Sequence, residues 1–277
     1  MKSLFYKSIL VIFTAFLGTT STTKTTAPQF QGQAFYYSKS KMQLGNWGAR
    51  MSEAQKKQIA NRLKNRLEKK YVLTFNMQES MFLEEEKIDA ISGATDSWGG
   101  YFSRGDQYKN VKENNLVQAQ EFYGKRFLVK DKLQSINWDM GTETKNIGNY
   151  ICYKATAMVP TSELNWFDFS WGDLRPAAKD EDGNPIVKMT TVEAWYTLQI
   201  PVAQGPAEYW GLPGLILEVS AGNNTLLCSK IVLNPKEKIT ITAPTKGEEI
   251  TKSNYTATIR KKMVEMRSNR MGRRRSR

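Results

Sequence analysis

The sequence predicts an α+β fold: a curved, predominantly antiparallel β-sheet with one long N-terminal helix packed on it and a short C-terminal helix. Three observations carry that expectation. Apolar and polar residues alternate through many short runs, the period of a half-buried strand. Turn-forming Gly, Asn, Asp and Pro separate those runs too closely for crossover helices, which argues against βαβ units. A helical period is convincing in one stretch only, near the front.

The chain opens MKSLFYKSILVIFTAFLG, two lysines joined to a short apolar run, the pattern of a signal peptide over 1–20. That run is too short for a bilayer, which takes about 20 residues. No cysteine stands beside it to carry a lipid, so the expectation is a periplasmic or secreted protein that is not a lipoprotein. A Thr-rich linker follows at 21–29, then a strand in QGQAFYYSKSKM. In SEAQKKQIANRLKNRLEKK, Ser52 caps a helix whose Ile59, Leu63 and Leu67 form a narrow apolar stripe. From Tyr71 the period is two, with Leu73, Phe75 and Met77 alternating with Thr74, Asn76 and Gln78. Ser92 to Asn110 reads as a long loop, Leu116 to Leu133 as two strands about Gly124, and Ile136 to Val159 as two more about Gly141. A polar, aromatic loop spans Trp166 to Pro185. Next, Val192, Ala194, Tyr196, Leu198 and Ile200 define one strand face, and Glu193, Trp195, Thr197 and Gln199 the other. LILEVS and TLLCSKIVL pair across Ala221–Asn224. One domain therefore occupies 30–250, and 251–277 holds the short helix and a basic, disordered tail.

Composition narrows the function classes. A hydrophobic content of 40% and a charged content of 24% suit a globular chain. Eight of the thirteen net positive charges fall between Arg260 and Arg277 and two more are Lys2 and Lys7, leaving the body close to neutral. Nucleic acid is not the expected partner. Arg273, Arg274, Arg275 and Arg277 read as a solvated end, with contact to an anionic membrane surface as the alternative. The chain has no histidine, which removes Ser-His-Asp and Cys-His catalysis and imidazole metal sites, and no phosphate-cradling glycine loop. No metal or other cofactor is expected. Asp168, Asp173, Glu193 and Glu218 keep a carboxylate-pair hydrolase open, and Asp180-Glu181-Asp182-Gly183 keeps a calcium site conceivable although it lacks the twelve-residue ligand spacing of an EF-hand. Cys152 and Cys228 allow either one disulfide or two buried thiols.

The most distinctive stretch is GPAEYWGLPGLILEV, Gly205 to Val219. Pro206 and Pro213 each remove a backbone donor and each adjoins a glycine, so the chain bends here, and Leu215, Leu217 and Val219 then lead into a core strand. The word Gly211-Leu212-Pro213-Gly214-Leu215-Ile216, with AWYTLQIPVAQGP upstream and NYICYKATAMV before that, resembles the GLPGLI family of exported Bacteroidota proteins, over most of Phe35 to Asn234. The resemblance implies an envelope role beside outer-membrane transport systems and no established reaction.

These readings converge on a non-enzymatic binding or adaptor module, comparable in shape to lipoprotein-carrier half-barrels. Trp195, Tyr196, Tyr209 and Trp210, with the Trp98/Tyr101 and Trp166/Trp171 loops, are expected to line a pocket or docking surface, and Gly205, Pro206 and 211–216 to form the turn beneath it. The expected partners are an outer-membrane β-barrel or TonB-dependent transporter component, and a peptide, lipid or glycan ligand. The alternatives are a histidine-free carboxylate hydrolase and a purely structural subunit of an envelope complex.

Overall fold

In the computed structural model, residues 30–42, 48–85, 104–237 and 239–275 are described. Alternating sequence patterns become strands throughout: β1 (Gln31–Ser40), β2 (Glu68–Asn76), β3 (Glu79–Glu84), β4 (Gln107–Asn110), β5 (Asn115–Phe122) and β6 (Lys125–Lys132). The second half adds β7 (Asp139–Ile147), β8 (Tyr150–Pro160), β9 (Met189–Thr197), β10 (Leu215–Ala221), β11 (Asn224–Leu233) and β12 (Glu248–Ile250). All twelve join one sheet in the order β12-β6-β5-β4-β3-β2-β1-β11-β10-β9-β8-β7. Every pairing is antiparallel except β12 with β6.

The α+β expectation is corrected by this sheet, and so is its long N-terminal helix. Ser52 does cap a helix, through a reciprocal pair in which its hydroxyl accepts from Gln55 N at 3.3 Å and Gln55 Oε1 accepts from Ser52 N at 2.9 Å. That helix, α1, ends after ten residues (Glu53–Arg62) and buries none of them. A single further turn, α2 (Lys64–Leu67), precedes β2, because Glu68 to Lys70 are claimed by the ladder to Tyr37, Ser38 and Lys39 of β1. The stripe was too narrow to hold the helix against strand pairing. The expected short C-terminal helix is the long one: after α3 (Thr161–Leu164), α4 runs from Lys252 to Arg275 and takes in most of the basic segment. Its inner side seats Tyr255 and Ile259 on Phe122, Phe127 and Val129, with Trp166 alongside. The turn expected at Gly141 lies at Gly148, where φ is +59°, and Gly141 sits within β7. The Gly124 and Ala221–Asn224 hairpins stand where the sequence puts them.

The sheet is tightly coiled, and one connection proves it. Residues 133–138 link β6 to β7, which lie ten positions apart in the strand order. Flat, that distance is about 48 Å at the usual strand spacing, whereas the linker reaches roughly 25 Å at full extension. The two ends must therefore curl toward each other around an interior. Into that interior β1 sends Ala34 and Tyr36, β2 sends Leu73 and Phe75, and β9 sends Val192 and Ala194, all essentially solvent-free. The Tyr36 hydroxyl donates to Ile216 O at 2.6 Å, bridging β1 to β10 across β11.

Close backbone approach explains the glycines of the distinctive stretch. A Cβ on Gly214 would stand 2.0 Å from Thr197 O, and one on Gly205 2.7 Å from both Tyr209 O and Ile216 Cδ1. Gly214→Ala is expected to destabilise the protein by about 3 kcal/mol or more. Gly172→Ala, whose nearest neighbour would be 3.4 Å away, should stay within about 0.5 kcal/mol. Chemical denaturation of both variants checks the contrast.

Candidate functional site

Between β9 and β10 the chain leaves the sheet and runs through the coil as a plug. Ile200, Val202, Ala207 and Leu212 are buried in the main core. The loop is pinched shut by Leu215 N donating to Ile200 O at 2.9 Å, Gly211 N to Ala203 O at 3.1 Å and Ile216 N to Gln204 O at 3.2 Å. Gly211 takes φ +92°, open to glycine at little cost.

A plug without regular secondary structure carries buried carbonyls that need donors. They come from β4, across the coil. Lys109, fully buried, donates through Nζ to Gly205 O at 2.6 Å, Ala207 O at 2.8 Å and Tyr209 O at 3.2 Å, one acceptor for each ammonium proton. Burial pulls its pKa down to about 7, against the Glu208 carboxylate, which pushes it up, and the Arg104 guanidinium, which lowers it further. Beside it, Gln107 Nε2 donates to Gln118 Oε1 at 2.9 Å and to Glu208 Oε1 at 3.3 Å, and Ser80 Oγ donates to Gln204 Oε1 at 2.8 Å. Arg104 closes the clamp with an ion pair to Glu208. Its burial lowers the guanidinium pKa, but that carboxylate outweighs the effect and the net shift is upward.

Past the clamp the coil opens into a cavity of about 590 Å³. Tyr209 of the plug lines it with Tyr71 and Phe82, whose rings stack at 4.7 Å. The Arg104 guanidinium covers the Phe167 ring at 4.6 Å on the same wall. Residues of the Thr161–Asp168 segment, of the β10–β11 turn, and Ser38 and Ser40 line the cavity as well.

The residues singled out from sequence are dispersed around this architecture. Tyr209 lines the cavity, while Tyr196 faces the core 6.1 Å from Tyr153. Trp210 Nε1 donates to Gln134 O and Trp138 Nε1 to Trp210 O, both at 2.8 Å, stapling the β6–β7 crossing to the plug. Trp195 lies on the outer face, its Nε1 donating to Glu193 Oε1 at 3.0 Å and its ring under Lys145 at 4.2 Å. That indole hydrogen bond, then Lys154, holds the Glu193 pKa below the usual carboxylate value despite some burial. Glu218 is tied to Lys145 at 2.8 Å. Asp168 is at the cavity mouth, apart from this pair. Trp166 packs on Tyr255 at 5.7 Å, and Trp171 lies under Arg267 at 5.1 Å. Both thiols are free and buried, and burial raises Cys152 to about 11 and Cys228 to about 12. Among the described residues no group of three or more Cys, Asp or Glu is arranged to hold a metal ion. Trp98, Tyr101, the leader and Arg277 lie outside the described residues; Arg273, Arg274 and Arg275 fall in the last turns of α4.

Sequence reasoning missed Arg104, Gln107 and Lys109, which sit in a Gly/Ser/Asp-rich stretch read as loop. The available signal was the short run QYKN between turn residues, directly before the strand at Leu116.

A family described only as proteins of unknown function, Porph_ging, matches residues 138–218, from Trp138 at the crossing through the plug to β10. The match covers less than half of the chain, and the finer GLPGLI likeness rests on the Gly211–Ile216 word and its flanking pattern. No curated protein matches the sequence. Among solved structures, PNGF-II in space group C2 superposes with a TM-score of 0.47 at 13% identity over 83% of this chain and 32% of that one. PNGF-II in space group P21 gives 0.46 at 14% identity with the same coverages. The chain thus spans about a third of the PNGF-II chain, and a likeness at this level assigns it no activity.

The clamp generates a prediction with a defined sign. The folded-state pKa of Lys109 lies below its unfolded value, so between about pH 7 and 10.5 the unfolded chain binds more protons and this residue's contribution to stability rises with pH. Lys109→Met strands three buried carbonyls and is expected to cost about 3 kcal/mol or more. In urea unfolding the gap between wild type and variant should widen from pH 7 to 10, by at most about 1.4 kcal/mol per unit.

Proposed function

We propose that the chain is an exported binding module whose ligand seats in the cavity at the mouth of the coil. The observation that carries this reading is the convergence of four aromatic rings and a buried ion pair on one open space, with Tyr209 held by the Lys109 clamp. A pocket floored by residues whose backbone is pinned from behind loses little freedom on binding. Of the four candidate carboxylates, Glu193 and Glu218 are each paired with an outer-face lysine, which favours binding over a hydrolase built on those two. The leader pattern and the motif resemblance support work in the envelope, beside an outer-membrane β-barrel or a TonB-dependent transporter component.

Amide chemical shifts measured during titration with mixtures of sugars, short peptides and fatty acids test the seat. Perturbations are expected to cluster around Tyr71, Tyr209 and the 161–168 segment, and to vanish in Ser40→Trp, which fills the mouth. Perturbations confined to other surfaces, or none, would overturn the cavity as the site.

A further inference from the structure

Resting on that binding reading, the lining itself selects a ligand class. Its strongest charges are already answered from within the protein. Lys69 pairs with Glu84 at 2.7 Å, and Arg104 is paired with Glu208. The remaining ionic groups, Lys188 and Asp168, are exposed and opposite in sign, and the Asp168 carboxylate also accepts from Phe169 N at 2.7 Å. A guest anion would find little net charge to gain.

What is left facing the space is neutral. Ser38 and Ser40 each donate to Asn224 Oδ1, at 3.1 and 3.3 Å, and so present hydroxyl lone pairs. Thr161 and Thr190 share one hydroxyl hydrogen bond of 2.7 Å, which leaves the pair one further proton to donate and free lone pairs. The side-chain amides of Asn165 and Asn223 are exposed at the mouth, and each offers two donors and an acceptor. Behind these groups stand the stacked Tyr71 and Phe82 rings and Tyr209.

We infer that the mouth cavity accepts a neutral polyhydroxylated ligand, a saccharide of one or two rings, with ring hydroxyls meeting the serine, threonine and asparagine groups and C–H faces meeting the aromatic wall. Each sugar hydroxyl donates and accepts at once, which matches side chains that do both and mismatches a purely cationic or purely apolar lining. The volume of about 590 Å³ lies within the span of about 300–1,000 Å³ found for small-molecule sites. A fatty acid would strand the polar mouth groups, and an extended peptide would outrun a pocket of this volume.

Calorimetric titration of the intact protein with glucose, N-acetylglucosamine, cellobiose and chitobiose, beside inorganic phosphate and hexanoate, tests the inference. At least one sugar is expected to bind with an affinity that changes less than about twofold between low and high salt, because a neutral guest has no screened charge term. Asn165→Ala and Asn223→Ala should each weaken it about tenfold, and Ser40→Trp should abolish it. Phosphate or hexanoate binding that Ser40→Trp removes, with no sugar bound, would overturn the saccharide class and leave the cavity as a site. Absence of binding by every probe, together with unmoved amide shifts around Tyr209, would overturn both.

Discussion

The arrangement depends on a lysine ammonium held by three main-chain carbonyls. A coiled sheet needs something inside it, and this one uses an irregular loop of its own chain, whose polar backbone would otherwise lie unpaired away from water. Lys109 answers three of those carbonyls at once, and the Arg104–Glu208 pair answers the charge nearby. Burying these groups is costly in itself, and complete pairing offsets the cost. The interior is consequently two-sided: apolar against β1, β2 and β8–β11, and polar where β3–β5 send in Ser80, Gln107, Lys109, Gln118 and Gln120. On the polar side Gln107 Oε1, Gln118 Nε2, Gln120 Nε2 and Gln204 Nε2 have no hydrogen-bond partner among the described residues.

The cavity follows from the same constraint. Tyr209 carries the third carbonyl bound by Lys109, so the floor of the pocket and the clamp share one residue. Arg104 belongs to both as well, pairing inward with Glu208 and covering Phe167 toward the mouth. The glycines of the distinctive stretch act one step further back. They let the plug press against Thr197, Tyr209 and Ile216, which fixes where Tyr209 arrives. The bend read from sequence is real, and its importance lies in what the preceding residues fill.

Local patterns were legible and long-range ones were not. Period-two alternation exposed Leu73, Phe75, Val192 and Ala194 as one-faced, and Ala221–Asn224 announced its own hairpin, because each depends on neighbours in the chain. The helix over 52–70 was overextended because Glu68 to Lys70 are recruited by a strand some thirty residues earlier, a pairing that propensity does not see. Lys109 escaped for a related reason: a charged residue in a four-residue strand reads as solvated, and only the plug, almost a hundred residues later, makes it a core residue. Alternation set Trp195 beside Glu193, but it says nothing of the lysine over the ring or of the burial of that ring.

The first strand of the sheet has a consequence for how the molecule comes into being. β1 is flanked by β2, its neighbour in the chain, and by β11, nearly two hundred residues downstream. During synthesis the emerging N-terminal half, β1 to β6, carries an open hydrogen-bonding edge on β1, and that edge finds its mate only after β11 has left the ribosome. Acquisition of the native sheet is therefore a late event, slow in the manner of topologies rich in distant pairings, and the half-made sheet offers a seam on which another copy can pair.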